Sequence, residues 1–91
     1  MALTSSQRRD LRARAHHLNA VVQTGAKGLT ESVIAEIDQA LEHHELMKVK
    51  LAGADRDDRK QMADELAAQL KAELVGSIGA VVILYRENPE K

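Results

Sequence analysis

Apolar residues recur every three to four positions in three stretches of the chain, and they alternate or run together in four others. The first period is that of a helix with one buried face, the second that of a strand. The first helix is predicted to start at Thr4, whose hydroxyl can cap it while Gln7 answers three residues later as a capping box. It runs to about Ala15, with Leu11, Ala15 and then Leu18 facing inward. His16 to Asn19 reads as an exit loop and Ala20 to Gln23 as a short strand.

Gly25-Ala26-Lys27-Gly28 then turns the chain into a second helix. Thr30 is a good N-cap there, and Glu31 suits the positive first turn. Val33, Ile34, Ile37, Ala40 and Leu41 form its inward stripe, and His43 and His44 close it. In Glu45 to Leu51, Met47, Val49 and Leu51 alternate with Lys48 and Lys50, as in a half-buried strand. Gly53 and the cluster Asp55 to Asp58 make a loop and a helix start. The third helix turns Met62, Leu66 and Leu70 inward and ends near Ala72. Leu74 to Ile78 and Ala80 to Arg86 read as strands around a turn at Gly79. The last run is apolar on both faces, which predicts the interior of the sheet. Pro89 stops it, and Glu87 to Lys91 reads as a frayed tail.

The predicted order is α-β-α-β-α-β-β, an α/β domain with one small four-stranded mixed sheet and helices packed on it. At 91 residues the chain has room for one domain, read as residues 1–87 with a short tail at 88–91. There is no cysteine, so neither a disulfide framework nor a thiolate metal site can form. No stretch has the length of a signal peptide core or a membrane span, and the expected location is the cytoplasm. Tyr85 is the sole aromatic among Phe, Trp and Tyr, which disfavours base-stacking surfaces.

Net charge is only −1, but it is unevenly spread. Residues 1–28 carry five basic side chains against one acidic, a net +4, and residues 29–91 carry eight against thirteen, a net −5. Such an asymmetry can turn one surface toward a polyanion; a solvated basic helix without a partner would carry the same charges.

The glycine pair has a more specific use. Glycine reaches backbone angles closed to other residues and lets a ligand's backbone come close. Amides at the following helix N-terminus favour an anion, and Lys27 adds a positive charge. Gly25, Ala26, Lys27, Gly28 and Thr30 together describe a phosphate grip that cannot read bases; a plain tight turn would show the same glycine spacing. The spacing is neither a Walker A loop nor a dinucleotide fingerprint, so nucleotide hydrolysis is not indicated. Arg8, Arg9, Arg12 and Arg14 can extend the surface from the first helix. Lys48 and Lys50 can flank a bound backbone if the helices cover the opposite face of the sheet. His16, His17, His43 and His44 lack metal-ligand spacing, and the carboxylates fall on polar helix faces. Neither a metal, a cofactor nor an enzymatic role is expected.

The run Val22 to Glu31, followed by Ile37 to Lys50 and closed by Val82-Ile83-Leu84-Tyr85-Arg86, resembles the CRM domain family, whose bacterial members are the YhbY-like proteins. The resemblance covers about Leu3 to Arg86. It implies a fold similar to the C-terminal domain of translation initiation factor three, and binding of structured RNA. Stand-alone bacterial members associate with precursors of the large ribosomal subunit, and plant members assist intron splicing in organelles. The loop Gly25 to Gly28 is the RNA contact the resemblance implies, by similarity to KH domains, although the KH loop joins two helices. Ala20 stands where many relatives have proline, and Glu87 to Lys91 is acidic where many are basic. The resulting expectation is a monomer that docks on ribosomal RNA or a large-subunit precursor, without DNA or membrane partners, and assists ribosome assembly. The alternative is a protein-interaction adaptor using the acidic helices.

Overall fold

The structure is a computed structural model and describes residues 3–24, 28–51 and 55–88. Its elements are α1 (Ser5–Ala15), β1 (Ala20–Thr24), α2 (Glu31–His44), β2 (Leu46–Leu51), α3 (Arg56–Leu70), β3 (Glu73–Ile78) and β4 (Val81–Tyr85). The capping chemistry sets the helix starts. The Gln7 amide donates to Thr4 Oγ1 at 3.1 Å and the Thr4 amide to Gln7 Oε1 at 2.9 Å, closing the predicted capping box. Thr30 and Asp55 cap α2 and α3 in the same manner, accepting from the amides of Val33 and Asp58.

The four strands lie in the order β1-β2-β4-β3. β1 runs parallel to β2, while β4 is antiparallel to both β2 and β3. A parallel pair needs a crossover, which α2 supplies between β1 and β2. α3 makes the next crossover, from β2 to β3, leaving a gap that β4 fills. Both crossovers advance the same way across the sheet, so their common handedness puts both helices on one face. That face carries the larger core, with Ile37 and Leu41 of α2 and Leu66 and Leu70 of α3 against Met47, Val49, Leu51, Val82 and Leu84. The opposite face is left to α1, whose Leu11 and Ala15 pack with Leu46, Val75 and Ile83. β4 is buried between two strands and two layers, as its doubly apolar pattern predicts.

Several expectations change. Leu18 does not face inward but is 39% exposed, because α1 ends at Ala15 and the chain turns away to reach β1. α3 stops at Leu70, with Lys71 in a left-handed conformation, so β3 begins at Glu73. Asn88, expected in a frayed tail, donates its amide to Glu45 Oε2 at 2.8 Å and its side chain to Glu42 O at 3.0 Å. Just before it, Arg86 donates to Asp38 Oδ1 (2.7 Å), Leu70 O (2.9 Å) and Asp38 O (3.0 Å), tying the end of β4 to both α2 and α3. Leu3 packs beside Tyr85 in the smaller core, and the two share a hollow with Glu87. Gly53 and Pro89 lie outside the described residues.

Candidate nucleic-acid interface

Parallel β1 and β2 deliver their carboxyl ends, and the N-termini of α2 and α3 that follow, to one end of the sheet; the β3–β4 turn joins them there. In α/β sheets that is where ligands are usually held. The approach along β1 is rigid, since Val22 and Thr24 are buried against the larger core. Gly25, Ala26 and Lys27 lie outside the described residues. The chain is described again at Gly28, whose φ of +73° is a conformation that side chains with a Cβ rarely adopt. Gly28 O accepts from the Thr30 amide at 3.2 Å, and Thr30 Oγ1 then caps α2 by accepting from Val33 N at 3.3 Å. The amides of Glu31 and Ser32, in the first turn, have no preceding helical carbonyl to bond. This turn therefore offers both a concentration of donors and the positive end of the helix dipole.

The other predicted residues divide between two regions. Lys50 is exposed and sits beside Gln23 of β1, one residue from the end of that strand. Lys48 is different. The lysine face is the one α1 covers, so Lys48 is half-buried and its Nζ donates to Leu18 O at 3.0 Å. The condition for both lysines to be open, helices on the opposite face only, is met at Lys50 and not at Lys48, which ties the α1–β1 connection to the sheet. Arg8, Arg9, Arg12 and Arg14 are exposed on α1. The Arg12 stem crosses Gly76 of β3, where a Cβ would come within 3.0 Å of its Cδ. β3 and β1 are opposite edges of the sheet, three strand spacings or roughly 14 Å apart. Arg12 and Gly28 therefore belong to two regions, at opposite edges of the sheet.

Inspection of the sequence missed Arg56, Arg59 and Lys60, which the fold brings to the glycine end. Their spacing, one helical turn apart, is the signal that could have found them. A Cβ on Gly28 would come within 3.9 Å of Met62 Cε, which places Gly28 against the second turn of α3. The histidine pairs stand elsewhere: His43 and His44 end α2, at the far end of the sheet, with ring centroids 6.0 Å apart. Among the described residues, no three His, Cys, Asp or Glu side chains gather where they could hold a metal ion.

Comparison with known proteins adds the biological frame. Residues 3–86 match the CRS1 / YhbY (CRM) domain model. A Pseudomonas aeruginosa protein named a probable RNA-binding protein is 50% identical over 90 residues, covering 99% of this chain and 86% of that relative. A Haemophilus influenzae protein named an RNA-binding protein is 48% identical over 88 residues, covering 97% and 89%. The solution structure of a Staphylococcus aureus protein, described as a candidate RNA-binding protein, superposes with a TM-score of 0.85 at 40% identity, covering 94% of this chain and 90% of that one. These matches show that the chain belongs to the CRS1/YhbY (CRM) domain family.

Proposed function

We propose that this protein binds RNA through the glycine turn, docking as a monomer on ribosomal RNA or a large-subunit precursor and assisting its assembly. The observation that carries the reading is the near full-length similarity to proteins named as RNA-binding. The geometry supplies a mechanism. Glycine at +73° lets a phosphate approach the backbone, and the first turn of α2 meets it with amides that have no partner within the helix and a positive dipole. Lys50 stands on the adjacent strand and contributes charge without base readout. Selectivity then comes from RNA shape, because this end of the sheet presents no aromatic platform.

Backbone docking makes affinity salt-dependent. A handful of phosphate contacts gives a log-log slope of roughly −3 to −5, measured by titrating fragments of large-subunit RNA at several salt concentrations. A flat response overturns the mechanism. Gly28 is the residue to change, but its left-handed backbone means that any side chain adds strain along with bulk. Gly28→Asn and Gly28→Asp carry nearly the same shape, and both residues tolerate that conformation better than most. The aspartate variant should bind RNA much more weakly than the asparagine variant while melting at a similar temperature. Equal binding by the two would remove the phosphate from the site. Comparing large-subunit fragments with unrelated folded RNA tests the ribosomal assignment separately.

A further inference from the structure

A second hollow opens at the same end of the sheet, between α3 and the β3–β4 hairpin, with a volume of about 710 Å³. Arg56, Arg59, Lys60 and Ala63, at positions three and four apart, line it from one face of α3. Ser77 and Gly79 line it from the hairpin, and Asp57 is the one acidic residue among its described lining. Its size lies within the range of clefts that hold small ligands, about 300–1,000 Å³. Arg56 and Lys60, both exposed, set two cations against that one carboxylate and favour an anionic occupant. No ring is present to stack a base, so the sugar–phosphate backbone is the part of a nucleic acid that fits. The turn leaves room for it: a Cβ on Gly79 would meet nothing within 4 Å.

Position links this hollow to the glycine turn. Gly28 rests against Met62, and Arg59 is one helical turn before Met62 on α3. A strand held at the first turn of α2 therefore continues across the start of α3 into the groove. We propose that the groove between α3 and the β3–β4 hairpin is a second RNA contact, which holds the backbone of the strand continuing past the glycine turn. The proposal rests on the RNA-binding reading above.

The test uses the full chain, a large-subunit RNA fragment and a salt series. Arg56 and Lys60 are exposed, so Arg56→Glu with Lys60→Glu should leave the fold intact, as a circular dichroism melt will show. That variant should lose tenfold or more in affinity, and its salt slope should be shallower by about 1.4, two phosphates at ~0.7 each. Ser77→Glu narrows the groove from the opposite wall without touching α3, and should weaken binding in the same direction. If both variants bind like wild type while Gly28→Asp does not, the groove proposal is overturned and the RNA reading stands. If wild type itself shows no salt-dependent RNA binding, the functional reading fails and the groove goes with it.

Discussion

Lys71 ends α3 with φ 56° and ψ 38°, a left-handed conformation that costs a residue with a Cβ about 1–2 kcal/mol. Glycine would relieve that strain, at the expense of backbone entropy and of a cation favourably placed at the helix C-terminus. The balance favours Lys71→Gly by about 0.5 kcal/mol, readable as a higher urea midpoint with an unchanged slope. Tyr85 makes a second prediction at this scale. Burial raises its phenol above the ordinary 10.0, helped by the charges of Glu87 and Glu45 and opposed by Arg14. A raised pKa means the folded state holds the proton more tightly, so this stabilisation is complete below pH 10.0 and is lost as pH rises through the folded value. Because Tyr85 is the only tyrosine and tryptophan is absent, its near-ultraviolet titration can be followed directly. Tyr85→Phe should weaken the alkaline decline in stability; an identical decline would assign it to other groups.

At the scale of elements, β4 is secured from beyond its own end. The Arg86 guanidinium joins α2 to α3 through one carboxylate and two backbone carbonyls, with the arginine side chain 23% exposed. Charge-assisted bonds in such a setting are worth about 1.5–3 kcal/mol together with the cost of the groups left unmade. Arg86→Ala should lower stability by about 2 kcal/mol and speed amide exchange in β4 and at the end of α3 before the rest of the sheet. Helix starts were readable from the sequence because capping is local chemistry, and Thr4, Gln7, Thr30 and the Asp55 cluster all announce it. Strand β2 was readable from Met47, Val49 and Leu51. Helix ends were harder. Lys71 and Ala72 carry no glycine or proline to mark a stop, yet the αL turn at Lys71 ends the helix at Leu70. Leu18 misled for a related reason: a helical period counts residues but does not show where the chain leaves the helix.

At the scale of the molecule, the doubly apolar pattern from Val81 to Leu84 correctly placed β4 inside the sheet. The face taken by α1 was not legible, because it follows from both crossovers occupying the other face. That one choice decides the fate of Lys48, which meets the Leu18 carbonyl instead of open solvent. It also sets Arg12 over β3, at the opposite edge of the sheet from Gly28, a distance invisible when the residues are read in order. For the same reason the basic face of α3 went unnoticed, since its residues acquire a setting only when β3 and β4 fold beside them. The charge asymmetry between residues 1–28 and the remainder was real but incomplete, as Arg56, Arg59 and Lys60 come from the acidic part.

The shared hollow of Leu3, Tyr85 and Glu87 sets how this domain can be tethered. Both ends of the described chain emerge side by side at the far end of the sheet, a strand length of roughly 17–20 Å from the glycine turn. Anything attached beside Leu3 or Asn88, whether a surface, a label or a neighbouring domain, starts at the opposite end of the sheet from Gly28. Immobilising the protein through a tag after residue 88 should therefore leave RNA affinity as it is in solution, which surface plasmon resonance against solution titration can check. Successive copies joined end to end would meet at the far end of the sheet, and each would keep its Gly28 end open.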